Sequence, residues 1–191
     1  SFGLPGRVLE LSHTGNGYCF DLKCVCPHCS EELSYQDVAL ETGVVNRISC
    51  RFCNQLFRIP VRFRNRSSAQ VQQLHEKLQN LLPSQSNELS TESVSEIFSV
   101  CQEIISIDPG YDRAWTILLE LLDKTGKTDS AAEIQKSAII SNPYNPDLFD
   151  QMDARLAKKG LEEERIKYSR QAALLRKIGV TAPLDIEIQF N

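Results

Sequence analysis

The residues best suited to carry chemistry are four cysteines in two Cys-x-x-Cys pairs, Cys26 with Cys29 and Cys50 with Cys53. Two intervening residues let one tight turn present both sulfurs of a pair to a single ion. The gap between the pairs is long enough for a hairpin that brings the second pair across. The spacing therefore predicts a four-thiolate metal site, with zinc as the expected metal and iron as the alternative. Four thiolates leave no coordination position open, so we expect the site to stabilise the fold without catalysis.

Two neighbouring side chains could replace a cysteine as ligand. His28 lies inside the first pair, and Cys24 is spaced to compete with Cys26. The other interpretations are a redox pair or buried free thiols, but a thioredoxin-like motif would need a single Cys-x-x-Cys in a βαβ context. Cys101 falls at an apolar helical position, which favours packing over reactivity. The sequence contains no Ser/His/Asp or Cys/His arrangement, phosphate-binding glycine loop or carboxylate pair, so we predict no catalytic residue and no enzyme activity.

The strand pattern around the cysteine pairs is that of a small antiparallel sheet. Residues 7–11 and 18–22 read as a hairpin, in which Asn16-Gly17 would form a type I′ turn with positive φ at both positions. Short strands are expected at 32–40 and 44–49, and residues 55–64 alternate between an apolar and a basic face, with Pro60 limiting that strand to an edge or a bulge. Together with the cysteine pairs, residues 18–66 resemble a zinc ribbon.

The basic face of the last strand is the one ambiguous functional signal. No acidic residue occurs between Val44 and His75, a stretch that contains six arginines. The apolar face comprises Phe57, Ile59, Val61 and Phe63, and the candidate partner-binding residues opposite are Arg58, Arg62, Arg64 and Arg66. Three interpretations stay open: contacts to nucleic-acid phosphates, a solvated edge strand protected by charge, or docking against the acidic helical region, where 18 acidic residues outnumber 12 basic ones from Leu78 onward.

The second half of the chain is helical and repeats with a 34-residue period. The pairs that carry the period are Asp108-Pro109 with Asn142-Pro143, Trp115 with Phe149, Gly126 with Gly160, and Ala138 with Ala172. Such a period resembles the tetratricopeptide repeat, a helix–turn–helix unit that stacks on its neighbours. In the last unit Arg165 stands where Ala131 is expected to pack, and Lys177 stands in place of the closing Pro143. These departures are typical of a terminal repeat.

The predicted architecture is therefore α+β, a small antiparallel β zinc ribbon followed by an all-α tetratricopeptide-like domain. We expect a β-hairpin and ribbon domain at 1–66, a helix and linker at 67–90, the repeats at 91–180 and an extended tail at 181–191. A helix is predicted from Ala69 to Leu82 and another from Glu92 to Ile107. The unit closing at Pro109 would lack a regular first helix because Pro83 falls within it.

These features predict a non-catalytic interaction module: a structural zinc in the ribbon, and a repeat groove for a protein or peptide partner. Nucleic-acid binding through the arginines is the first alternative. The second is an accessory C-terminal region of a larger enzyme, since the start at Ser1 without Met suggests a fragment and the Cys-Pro-His-Cys and Cys-Arg-Phe-Cys-Asn-Gln motifs are similar to tails of some cobalamin-binding radical enzymes. Four of seven cysteines on one metal leave an odd number, which favours a reducing, cytoplasmic compartment. No apolar run approaches the ~20 residues needed to span a bilayer, so no membrane partner is expected.

Overall fold

The computed structural model describes residues 3–41, 45–64, 69–82, 90–180 and 184–187. In chain order the elements are β1 (Arg7–His13), β2 (Cys19–Val25), β3 (Glu32–Ala39), β4 (Arg47–Ser49), β5 (Leu56–Arg58), β6 (Val61–Arg64), α1 (Ala69–Leu81), α2 (Thr91–Ile107), α3 (Asp112–Lys124), α4 (Thr128–Ser141), α5 (Pro146–Lys158), α6 (Glu162–Ile178) and β7 (Leu184–Glu187). This order of a small antiparallel sheet followed by six helices agrees with the predicted α+β class.

The described chain divides into two compact units. The first combines the chain up to Phe63 with Pro143–Ile186, and the second contains the chain from Arg64 to Asn142. The four domain ranges expected from the sequence stay a prediction. None of the helices within the described ranges is both long enough and apolar enough to cross a membrane.

The first unit begins with an antiparallel sheet in the order β1-β2-β3. The alternating residues Phe20, Leu22 and Cys24 of β2 are buried, as the period of two requires for a strand with one covered face. The predicted hairpin is present, but its type I′ turn is wrong. Positive φ angles occur at Gly15 (92°) and Gly17 (52°) and not at Asn16, because the connection is longer than two residues and closes through Thr14 N donating to Cys19 O at 3.0 Å.

The predicted strand at 55–64 is divided at Pro60 into β5 and β6. β5 pairs with β4, whereas β6 pairs with β7. The two halves meet in a tight turn in which Val61 N donates to Ile59 O at 2.9 Å, across the proline that cannot donate itself. Phe57, Ile59 and Val61 of the predicted apolar face are buried, and Phe63 packs against the same core. Arg58 and Pro60 between them are buried too, so the predicted alternation with an open basic face does not hold there.

A segment at the start of the chain adds to the outer edge of β5. Gly6 N donates to Arg58 O at 2.8 Å, and Arg58 N donates to Leu4 O at 2.9 Å, with a parallel bridge at Pro5. Gly6 is required by this approach, because a Cβ there would lie 2.5 Å from the Phe57 ring.

Helices α5 and α6 belong to the same unit, and polar contacts join this part of the chain to the segments that flank the strands. Tyr144 donates its hydroxyl to Ile59 O at 3.2 Å, and Gln171 Nε2 donates to Gly3 O at 3.0 Å. Phe149 and Met152 of α5 are fully buried.

The second unit contains α1 to α4 around an apolar core. Leu78 of α1, Ile97 and Ile104 of α2 and Leu118 of α3 are among its fully buried members. Ser90 caps α2 by accepting a hydrogen bond from Ser93 N at 3.1 Å. The helices predicted at 69–82 and 92–107 are confirmed within one residue at each end, while Pro83 lies outside the described residues.

The 34-residue period appears in the helices themselves. Helices α3 and α5 are both 13 residues long and begin 34 residues apart, as do the starts of α4 and α6. Gly126 and Gly160 both have φ of 71°, and their amides donate to Asp123 O and Ala157 O, each at 3.1 Å. The repeat in sequence is therefore a repeat of helical hairpins.

The two predicted departures of the last hairpin have visible consequences. Ala131 is fully buried, whereas Arg165 pairs with Asp153 at 2.7 Å and with Glu162 at 2.9 Å. Without a proline at Lys177, α6 continues to Ile178 and stops at Gly179 in the left-handed conformation.

Candidate metal centre

The four predicted ligands are brought together by two turns at strand ends. The first turn follows β2 and contains Cys26 and Cys29, and the second connects β4 to β5 and contains Cys50 and Cys53. All four sulfurs lie within 4.8 Å of one another. The predicted cluster is thus present in the structure.

The two turns have the same hydrogen-bond pattern, offset by 24 residues. In the first, Cys26 N donates to Glu31 O at 3.0 Å and Ser30 N donates to Cys26 O at 3.0 Å. The corresponding bonds in the second turn are Cys50 N to Gln55 O at 3.0 Å and Asn54 N to Cys50 O at 2.8 Å. Each turn closes on a residue with left-handed backbone, φ 64° at Ser30 and 57° at Asn54, and this reversal aims both sulfurs of a pair to one side.

Backbone amides also point at the first sulfur of each pair. His28 N lies 3.4 Å from Cys26 Sγ, and Phe52 N lies 3.4 Å from Cys50 Sγ. A sulfur with negative charge is stabilised by such donors. In each turn, one backbone amide therefore favours the thiolate form of the first cysteine.

The sulfur separations fit a tetrahedral ion. Cys26 Sγ lies 3.7 Å from Cys53 Sγ, and Cys29 Sγ lies 3.6 Å from Cys50 Sγ. A metal bound to four sulfurs at about 2.3 Å requires separations of about 3.8 Å, whereas a disulfide requires about 2.05 Å. The geometry agrees with a shared metal and disagrees with disulfide bonds.

The electrostatics of the four thiols differ. Burial acts to raise the pKa of Cys50, but hydrogen bonds from the Cys53 and Phe52 amides and from neighbouring thiols outweigh it and lower the pKa to about 7. The pKa of Cys26 is raised, chiefly by burial. A thiolate at Cys50 thus forms most readily, and a cation is needed to hold the others deprotonated.

Neither alternative ligand joins the cluster. His28 donates from Nε2 to Leu56 O at 3.2 Å, which directs the ring to β5. Cys24 is fully buried within β2, and burial raises its pKa to about 11. Cys101 lies in the core of the second unit, as its apolar position predicts.

The structure places the predicted arginines in different environments. Arg58, expected on an exposed face, is only 7% exposed because the segment at Leu4 and the Tyr144 ring lie beside it. Arg62 pairs with Asp185 of β7 at 2.9 Å. The Arg64 side chain and all of Arg66 lie outside the described residues. Partner binding by these four arginines stays a prediction.

The second unit has an open groove between α2, α3 and α4, with a volume of about 730 Å³. Its apolar lining includes Val94, Phe98, Leu122 and Ile134. Sequence reasoning predicted a repeat groove but not these lining residues, because their position depends on how α2 packs beside the first hairpin.

Comparisons with known proteins give local likenesses. No family model matches the chain, and no curated protein matches it. Among solved structures, a crystal structure of MamA is 23% identical to this chain, with a TM-score of 0.39. The match covers 44% of this chain and 49% of the MamA chain. A second MamA structure, MamA MSR-1 C2, is 14% identical with a TM-score of 0.41 over 62% of its length and 59% of this chain.

A mutant O-GlcNAc transferase from Thermobaculum terrenum is 20% identical to this chain, with a TM-score of 0.42. The match covers 60% of this chain and 21% of the transferase chain. These neighbours are helical-repeat proteins of the tetratricopeptide type. The chain spans about half the length of the first MamA structure.

Proposed function

We propose that this chain is a non-catalytic protein-interaction module of the scaffold type, in which a zinc ribbon and a tetratricopeptide-like groove act together. Cys26, Cys29, Cys50 and Cys53 hold a structural zinc, and the groove receives a protein or peptide partner. The observation that carries the proposal is the cluster of four sulfurs on two matching turns.

Zinc is favoured over iron by the role that the site would have. The bound ion supplies a cross-link between β2 and the β4–β5 hairpin. The pairing of β4 with β5 covers only three residues, Arg47–Ser49, which is too short to be stable alone. Structural zinc contributes on the order of 10–16 kcal/mol of apparent binding free energy in small domains, which is ample for this purpose.

The groove supports an interaction function because it combines an apolar floor with a charged rim. Phe98 and Ile134 provide the floor, and Lys127, Asp129 and Glu133 form part of the rim. A segment with apolar anchors and charges of both signs would match this surface.

Metal analysis of the purified full chain tests the first half of the proposal. We expect close to one zinc per chain. Cys50→Ser should lose the metal and unfold the first unit while the second keeps its helical signal, because α1 to α4 contain no ligand. The matched control is Cys19→Ser, a half-buried cysteine outside the cluster, which should keep the metal. Stoichiometric zinc in Cys50→Ser would contradict the assignment, and stoichiometric iron in the wild type would correct the metal.

The groove is tested separately with p-benzoylphenylalanine placed at Phe98. Photolysis in a cell extract should give a discrete crosslinked protein, since this side chain lines the groove. The control position is Ile140, which is 72% exposed and does not line the groove. Equal crosslinking at both positions would mean that the groove has no specific partner.

A further inference from the structure

Two arginines face each other directly across the short β4–β5 ladder of the first unit. Arg47 is opposite Arg58 in the register, so both side chains leave the same face of the hairpin. Like charges at directly opposed positions repel each other and destabilise a strand pair. An anion bound between the two guanidinium groups would remove this repulsion.

Within the described ranges of the chain, no carboxylate is recorded as a partner of Arg58. Its side chain is 7% exposed, and Nε is buried without a hydrogen-bond partner. Among the described residues the groups that act on its charge are the Tyr144 hydroxyl and the Arg47 guanidinium, and neither is a carboxylate. Burial is the largest effect on the pKa of Arg58 and lowers it. Tyr144 acts to raise this pKa, and the Arg47 charge acts to lower it further.

Two carbonyl oxygens of the flanking segments accept hydrogen bonds from side chains other than Arg58. Ile59 O accepts from the Tyr144 hydroxyl, and Gly3 O accepts from Gln171 Nε2. Strands β4, β5 and β6 cannot supply a counter-ion, since the sequence from Val44 to His75 has no acidic residue. A buried N–H donor without an acceptor is unfavourable, so the Arg58 guanidinium would gain from an acidic group supplied by another molecule.

We propose that Arg58 and Arg47 form a receptor for a carboxylate, the side chain of an aspartate or glutamate on a protein partner. The planar guanidinium of Arg58 can hold both oxygens of a carboxylate through two parallel hydrogen bonds, and Arg47 closes the site from the partner strand.

A protein source is favoured by the apolar surface beside the two arginines. Leu56 lies two residues from Arg58 on the same face of β5 and is 60% exposed, and Phe52 in the adjoining turn is 57% exposed. Arginine next to exposed apolar side chains is typical of protein interfaces. A nucleic-acid backbone would instead meet a chain of net charge −4. The inference rests on the proposed interaction function for the source of the carboxylate, but the site can be tested without a partner.

The probe is sodium acetate, added to the purified full chain at constant ionic strength with sodium chloride as reference. The signal is the Nε–Hε resonance of Arg58 in a proton–nitrogen NMR spectrum. We expect a saturable shift with acetate and none with chloride. Arg47→Gln should weaken acetate binding about tenfold, and Arg58→Lys should weaken it by a similar factor because one ammonium cannot form the paired hydrogen bonds. The matched control Arg51→Gln, which removes an arginine that stacks on Phe52, should leave binding unchanged.

Several results would overturn the proposal. One is an Arg58 resonance shift that rises linearly with acetate or is the same with chloride. Another is acetate binding that is unchanged in Arg47→Gln and Arg58→Lys. A third is a larger loss of acetate binding in Arg51→Gln than in those two variants. Saturable binding of inorganic phosphate and of a short single-stranded DNA, with no response to acetate, would assign the site to nucleic acid. Because acetate binding needs no partner, its failure leaves the groove experiment at Phe98 intact, and a silent groove leaves the acetate result intact.

Discussion

Trp115 is the largest side chain whose position followed from the repeat pattern. The indole is 6% exposed, and its Nε1 donates to Pro109 O at 2.7 Å, so the ring connects α3 to the turn that precedes it. We expect Trp115→Ala to lower the free energy of unfolding of the second unit by about 3–5 kcal/mol, through lost burial and the cavity left behind. Urea unfolding followed by circular dichroism measures this loss. Trp115→Phe, which keeps most of the volume, should cost clearly less, and a red-shifted wild-type tryptophan emission would contradict the burial.

Cys101, in the core of the second unit, provides a pH-dependent prediction. Burial raises the pKa of its thiol from 9.0 to about 11. Between pH 9 and pH 11 the Cys101 thiol ionises in the unfolded chain but stays protonated in the folded chain. The free energy of unfolding is therefore unaffected below pH 9 and falls as the pH rises towards 11. The loss should be on the order of 2 kcal/mol, and Cys101→Val should remove it. The measurement is urea unfolding monitored by Trp115 fluorescence at pH 8, 9 and 10.5. A wild-type and a variant curve that decline in parallel would show that the thiol is not responsible.

Arg58 shows where residue-level prediction reaches its limit. Alternation along β5 correctly puts Arg58 opposite Phe57, and on local grounds that face should be exposed. The side chain lies beside Gly3 and Tyr144, which are 55 and 86 residues away in sequence. Contacts between such distant segments leave no local pattern, and burial of a charged residue runs against every composition rule.

At the level of elements, each helical hairpin turns at a glycine with positive φ. Gly126 and Gly160 both have φ of 71°, and a Cβ would meet no atom within 4 Å at either position. Replacement by alanine therefore introduces backbone strain and no clash, and we expect Gly126→Ala and Gly160→Ala each to cost about 1 kcal/mol. Thermal unfolding measures the effect. The matched variants Gly126→Asn and Gly160→Asn should cost less, since asparagine adopts this conformation more readily.

The hairpins were predictable because their signals recur at a fixed period and lie within one supersecondary unit. The cluster of four cysteines was predictable for a similar reason, since Cys-x-x-Cys spacing encodes a turn. The break of the last ribbon strand was predicted only in part. Pro60 indicated an edge or bulge, but the transfer of β6 to a pairing with β7 depends on residues more than a hundred positions later.

For the whole molecule, the charge distribution leads us to expect no nucleic-acid binding. Arg62 is paired with Asp185, and the net charge is −4. We therefore expect no binding of a labelled 20-nucleotide single strand at about 150 mM salt in a fluorescence anisotropy titration, because weak phosphate contacts are already screened there. If binding does occur, the double variant Arg64→Ala and Arg66→Ala tests its origin. The quantity to compare is the slope of log affinity against log salt concentration. If this slope becomes less steep by about 0.7 for each of the two arginines removed, the nucleic-acid interpretation would be favoured over ours.

The way the chain is divided between its two units sets an order for synthesis on the ribosome. The first unit contains β1 to β5 as well as α5 and α6, while the second takes all of its helices from Arg64–Asn142, with Glu187 added later in the chain. The four helices of the second unit can therefore be complete while the first unit still lacks Tyr144, Gln171 and Asp185. During that interval the first unit has its cysteine turns but not the Tyr144 hydroxyl that bonds Ile59 O or the Asp185 carboxylate that pairs with Arg62. Early capture of the ion would keep the emerging strands in register until the final helices leave the exit tunnel.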